Sequence, residues 1–353
     1  MMRQHYSCQG VNKMQEEILE KDGSKKGRLK KESHVQDWLN RDSIKRTLLK
    51  YNIFFIFIIM LIGSNFVSGS FLSETNIFNL LRQVSALGII SMGMLLVILT
   101  GGIDLSVGSM MAFASVLSAY FMAFRSMGFA GSLVLTILIS ALLGGVAGYL
   151  VAFRNMAAFV ATLALMTIAR GLAYIVSKGT PIMVENRVLD SIANGYILGI
   201  PASVYLMLGI FIVITLLLKY SVFGRMLIAI GSNEEVVRLS GIRVHAYKFM
   251  VYCISGALCA IAGIISTSRT GVGSPLVGTG YELDAIAAVV IGGASLTGGK
   301  GLSFNTLIGV FVLGIIGNIM NLLNVAAYPQ QVIKGIIIVI AVLAQGKDSQ
   351  KKV

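Results

Sequence analysis

The sequence predicts an all-α polytopic membrane protein with about ten transmembrane helices, some of them short or broken. Three observations lead there. The 353 residues have a mean hydropathy of +0.81. Only 13% are charged, where ordinary soluble domains carry about 25%. The apolar residues make up 56% of the chain and gather in long uncharged runs, which no water-soluble core requires.

A helix needs about 20 apolar residues to cross the hydrocarbon of a bilayer. Candidate spans lie at 52–72, 84–101, 106–124, 129–153, 157–177, 202–219, 248–268, 284–298, 303–323 and 329–346. The eighth and tenth are short. Lys and Arg concentrate on the cytoplasmic side of membrane proteins. With the N-terminus inside, 22 of the 29 Lys and Arg fall in inner segments and five in outer ones. Both termini are then cytoplasmic. Pro181, Pro201, Pro275 and Pro329 fall in outer loops or at their edges, where they break no span.

The organisation that follows is a basic cytoplasmic tail at 1–50, a transmembrane domain at 51–346 and a short cytoplasmic tail at 347–353. The first apolar run begins only at Ile53, so residues 1–50 do not read as a signal peptide. Gln36 to Tyr51 could form an amphipathic surface helix or belong to a solvated basic tail that only sets orientation. The net charge of +13 follows topology and shows none of the basic patches with interleaved aromatics that nucleic acid requires. Cys8, Cys253 and Cys259 make no CxxC pair, and His5, His34 and His245 are scattered. No disulfide framework, metal site or cofactor is implied.

Val289 to Ser303, VVIGGASLTGGKGLS, has parts of a nucleotide phosphate loop. That motif needs a glycine six residues before the lysine and a Ser or Thr after it. Here those positions hold Ala294 and Gly301. The stretch reads as a tight turn between helices, and any ATP is hydrolysed on another chain.

Leu99 to Ser109, LTGGIDLSVGS, sits between two apolar runs with no room for a true loop. A carboxylate at the centre of a membrane helix costs about 2.5–3.5 kcal/mol, so Asp104 needs partners. Asp104 or Ser106 can cap the following helix, and Gly101, Gly102 and Gly108 permit a sharp reversal. The expectation is a broken helix whose turn dips into the membrane. Capping alone accounts for these residues; a role in gating stays open beside it. LTGG-x-x-LS recurs at Leu296 to Ser303. Parity places both copies on one side, which does not fit an inverted repeat. Arg170 and Lys334 lie towards the outer ends of their spans and are expected to snorkel.

Gly224 to Lys248 is the longest charged segment after the tail. Within it Asn233, Glu234, Glu235, Arg238, Leu239 and Gly241 read as a short helix. Ser232 or Asn233 caps it, acids fill its first turn and Gly241 closes it. Such a helix suits docking into a partner's groove; lying on lipid headgroups is the alternative.

GGIDLSVGS (101–109), GSNEEVVRLSGI (231–242), GTGYELDAIAAVVIGGASLTGGKG (278–301) and the NLLNV and YPQQVIKG stretches after residue 320 resemble the permease subunit of bacterial ATP-binding cassette importers for simple sugars. The likeness covers about residues 70 to 345. It implies a homodimer in the bacterial cytoplasmic membrane, a cytoplasmic ATPase on a separate chain and an extracytoplasmic sugar-binding protein. It implies a monosaccharide as solute, ribose before other sugars, and makes 233–241 the coupling helix that receives ATPase motion. Asn318, Asn321 and Asn324 stand three apart on the ninth span. Carboxamides suit sugar hydroxyls, though they equally suit interhelical hydrogen bonds. An ion-coupled secondary transporter would need intramembrane carboxylates, for which Asp104 is the candidate. A membrane enzyme would need a catalytic cluster, which the sequence does not show.

Overall fold

The computed structural model describes the backbone of residues 52–125 and 127–350, with side chains from residue 53 to residue 340. The basic tail and the Gln36–Tyr51 surface helix expected above lie outside the described residues. The chain divides into two units, 1–55 and 56–353; the contacts given below all belong to the second.

The elements run α1 (Asn52–Val67), α2 (Glu74–Leu99), α3 (Val107–Phe124), α4 (Phe129–Phe153), α5 (Ala158–Ser177), β1 (Ile182–Met183), α6 (Arg187–Ala193), β2 (Tyr196–Ile197), β3 (Ile200–Pro201), α7 (Ala202–Tyr220), α8 (Val222–Ser232), α9 (Glu234–Leu239), α10 (Val244–Thr270), β4 (Val272–Gly273), α11 (Tyr281–Ile291), α12 (Ser303–Leu322) and α13 (Ala327–Gln350). Among the described residues, seven helices are long and apolar enough to cross a membrane: α2, α3, α4, α5, α7, α10 and α12. Three of the ten expected spans differ. The first and tenth carry shorter apolar helices, Ile53–Val67 and Ala327–Ile340. The eighth is the 11-residue α11. Its apolar run continues past Ile291, but Gly292 ends the helix and Gly293 turns left-handed at φ +81°. A glycine accepts that conformation without a β-carbon clash.

α2 forms the centre of the bundle. Some 83% of its apolar window is buried, against 28% for α5 and α7. α5 turns Phe159, Leu163, Ile168 and Ile175 outward, and α7 turns out Leu208, Ile212 and Leu216. Such continuous apolar faces match hydrocarbon rather than water. α4 and α10 approach through small residues. A β-carbon at Gly144 would stand 2.5 Å from the Tyr252 carbonyl oxygen, and one at Gly256 would strike that of Ser140. Bilayer helices gain from such close backbone contact because lipid offers no hydrophobic drive between them.

One end of the bundle is closed by short structure. β1 pairs antiparallel with β4, and β2 pairs with β3 across a Leu198–Gly199 turn at positive φ. α6 is capped by Asn186, whose side-chain oxygen accepts from the Val188 and Leu189 amides at 3.0 Å. It is fastened to α10 through Ser268, which donates to the Leu189 carbonyl and accepts from the Ala193 amide. The opposite end carries α8 and α9. The expectation of a charged loop with one short helix at Gly224–Lys248 is corrected: a second helix precedes α9. Residues 222–232 form the amphipathic α8, with Gly224, Leu227 and Ile230 buried.

Candidate functional site

The first functional region is the break between α2 and α3. After Leu99 the chain reverses through Gly101 at φ +80°. The Gly101 and Gly102 amides donate back to Ile98 and Val97 at 2.9 and 3.2 Å. Asp104 follows, only 4% exposed. Its Oδ1 accepts from the Ser106 amide at 3.0 Å and the Ser106 hydroxyl at 2.6 Å. Its Oδ2 accepts from Ser255 Oγ of α10 at 2.8 Å. The expectation that Asp104 or Ser106 caps α3 is corrected: no side chain accepts from a first-turn amide of α3. Asp104 instead closes a turn onto Ser106, the residue before the helix, whose hydroxyl donates to it. Ser255 lies 11 residues into α10, roughly 16 Å along its axis, so the turn does reach well into the bundle. Ser255 was not legible as a partner, being one hydroxyl in an apolar run.

A second break faces this one. Between β4 and α11 the chain passes through a run of turns, Pro275 to Gly280, with Gly278 and Gly280 left-handed at φ +74° and +83°. A β-carbon at Gly108 would fall on the Gly278 carbonyl oxygen, and one at Gly278 on that of Gly108. The two interruptions thus cross backbone against backbone, which only glycine allows. Arg170 of α5 braces the crossing. Its Nε donates to Ser109 Oγ at 3.2 Å, and its Nη1 donates to the carbonyls of Pro275 and Val277 at 2.5 and 2.9 Å. The expectation that Arg170 snorkels is corrected: free carbonyls of the unwound segment draw it inward. Lys334 is corrected likewise. It pairs with Asp284 of α11 at 2.7 Å, and the signal available was an acid and a base, each inside an apolar run.

The third region is the corner formed by α8 and α9. Asn233 caps α9 by accepting from the Val236 amide at 3.1 Å; Ser232 instead donates to Ile228. Gly241 closes the turn after α9 at φ +80°. Val237 packs with Ile230 and Val244 in a small core, while Val236 and Leu239 stay 56% and 77% exposed. Glu235 binds Arg238 at 2.6 Å, a bond that holds the guanidinium above even its ordinary range. Glu234 binds Lys248 of α10 at 2.5 Å. The end of α8 is pressed into the bundle. A β-carbon at Gly231 would collide with the Leu99 carbonyl and the Gly299 amide, and that amide donates to Leu99 at 3.0 Å. Both LTGG-x-x-LS copies therefore meet at this one end, Gly298 and Gly299 against Leu99 and Gly101. The Val289–Ser303 stretch spends its glycines here, at φ +92° for Gly298 and +73° for Gly299, and follows a helix rather than a strand.

The three asparagines part company. Asn318 makes a reciprocal amide pair with Asn76 of α2 at 2.8 and 2.9 Å. Asn321 accepts from Gln330 of α13 at 2.9 Å. Asn324 lies beyond the end of α12, left-handed at φ +54°. Asn318 and Asn321 thus have the interhelical partners that the alternative expectation gave them. Among the described residues no group of three His, Cys, Asp or Glu could hold a metal ion.

A bundle of membrane-length helices, interrupted by two unwound segments that cross at its interior, defines a polytopic transport permease. The chain belongs to the family described as the branched-chain amino acid transport system permease component, which matches residues 76–342. It is 42% identical to the ribose import permease protein RbsC of Haemophilus influenzae over 88% of this chain and 97% of that one. It is 44% identical to the Bacillus subtilis protein of that name over 83% and 91%. It is 36% identical to the L-arabinose transport system permease protein AraH of Escherichia coli over 83% and 89%. No solved structure matches the chain.

Proposed function

We propose that this chain is the membrane-spanning subunit of an ATP-binding cassette importer that forms the pathway for a monosaccharide, ribose before other sugars. An extracytoplasmic binding protein delivers the sugar, and ATP is hydrolysed on a separate cytoplasmic chain. The observation that carries the solute is the gradient of likeness, 41–44% identity to ribose import permeases against 36% to the arabinose one. The family's description names branched-chain amino acids, and these are the competing solute.

The corner of α8 and α9 supports the drive. Val236 and Leu239 form an exposed apolar pair on an otherwise charged helix, suited to a groove on the ATPase. A push on α9 passes to α8 through Ile230 and Val237. From Gly231 it passes to Leu99 and Gly299, the ends of the two segments that lead into Gly101–Gly108 and α12. Packed elements with backbone contact shift as units, so α9 can move the crossing of the two breaks. The charge bias supports a topology with the α8–α9 end and both termini in the cytoplasm. Two copies form a homodimer in the bacterial plasma membrane, with the exposed Asn321 and Asn324 beside the pathway.

The test is reconstitution of the chain in proteoliposomes with its binding protein and ATPase, measuring ATP hydrolysis across ribose, arabinose and leucine. Stimulation by ribose alone supports the reading. Stimulation by leucine, or none by any sugar, overturns it.

A further inference from the structure

A groove of about 550 Å³ lies where α8 meets α10, lined by Phe223, Ile242, Arg243, Ala246, Tyr247 and Met250. Its wall is the stacked pair of Phe223 and Tyr247, with ring centroids 5.7 Å apart. Arg243 carries the only charge of the lining. It is exposed; its carbonyl accepts from the Ala246 amide at 3.1 Å, and its guanidinium has no hydrogen-bond or ion-pair partner among the described residues.

The level of the groove can be placed. α10 has 27 residues and is about 40 Å long at 1.5 Å per residue. The hydrocarbon is about 30 Å thick and the bilayer with its headgroups 40–45 Å. Arg243, just before α10, therefore stands among headgroups. Met250 lies about 10 Å further along the axis, at the depth of acyl chains. Tyr247 between them suits the interfacial belt. A soluble partner cannot reach a groove that continues into hydrocarbon. The charge around it is positive as well. Lys219 and Arg225 come from the same end of the bundle, while Glu234 and Glu235 are already taken by Lys248 and Arg238.

From this we infer that the groove seats an acyl chain of an anionic phospholipid, with the lipid phosphate on Arg243. The guanidinium fork matches phosphate oxygens, and the apolar trough continues in the direction the chain must take. A lipid held here sits against α8 and the start of α10, the two helices that carry α9, and stiffens that corner.

The test uses the purified full chain in detergent and its melting temperature as lipid is titrated. The probes are phosphatidylglycerol, phosphatidylcholine with the same acyl chains, and inorganic phosphate. Phosphatidylglycerol is expected to stabilise at lower concentration than phosphatidylcholine, and phosphate alone to do nothing. Arg243→Gln should weaken the phosphatidylglycerol response about fivefold, the worth of one cation at a lipid surface, bringing it to the phosphatidylcholine level. Ala246→Trp, which fills the groove from an exposed position, should abolish the response to both lipids. Equal responses to the two lipids, a preference that survives Arg243→Gln, or stabilisation by phosphate alone would overturn the inference. So would an Ala246→Trp chain that keeps its lipid response but no longer binds the ATPase, since the groove would then be a protein dock.

Discussion

Ser255→Ala removes the one donor that, among the described residues, reaches Asp104 from another helix. The bond is 2.8 Å long, Ser255 is 0% and Asp104 4% exposed, so water does not replace it. Neutral hydrogen bonds inside membrane proteins average only about 0.6 kcal/mol. Here the acceptor is a carboxylate, and among the described residues Oδ2 has no second donor. The range of about 1.5–3 kcal/mol for bonds to charged groups therefore applies. At about 2 °C per kcal/mol for a large domain, the melting temperature falls by about 3–6 °C. The assay is thermal unfolding of the purified chain in lipid nanodiscs. Ser106→Ala is the internal comparison. It removes a hydroxyl from Oδ1 but leaves the Ser106 amide bonded there at 3.0 Å, so it costs less. A Ser255→Ala chain melting within about 1 °C of the parent, or a larger loss for Ser106→Ala, would refute the account of the turn.

Lys334→Met leaves Asp284 facing the bundle unpaired, and the double variant Lys334→Met with Asp284→Leu removes both charges. Breaking such a pair costs more than deleting it, so the double variant should melt above the single one; the reverse order would deny the ion pair a structural role. Asn318→Ala should cost only about 0.6 kcal/mol and leave the KM of sugar uptake unchanged; a raised KM with intact stability would place Asn318 on the pathway. Leu239→Asp changes a side chain 77% exposed, so stability should move by less than about 0.5 kcal/mol while copurification of the ATPase is lost. Glu235→Lys should likewise preserve membrane insertion and abolish sugar-stimulated ATP hydrolysis, and normal transport by that variant would remove α9 from the coupling role.

The long helices were legible because a bilayer demands unbroken apolar runs, and α2, α4, α10 and α12 supply them. The Gly101–Ser106 turn was legible because a lone carboxylate between apolar runs must be satisfied. α8 was missed because Gly224, Arg225 and Gly231 interrupt its apolar pattern; only packing shows that Gly224 makes room for the end of α7 and Gly231 for Leu99 and Gly299. α11 was overextended because Gly292 and Gly293 are neutral in a hydropathy count yet decisive in φ. The inward turn of Arg170 and the pairing of Lys334 with Asp284 depend on partners 105 and 50 residues away, and no local pattern records them.

The central claim is that this chain is a conduit whose motor lies elsewhere. The most direct measurement is ribose accumulation in proteoliposomes holding the purified chain alone, with ATP and ribose supplied, compared with liposomes that also contain the ATPase and binding protein. The account predicts neither ATP hydrolysis nor uphill accumulation from the chain alone, and both from the full assembly. Concentrative uptake by the chain alone would contradict it.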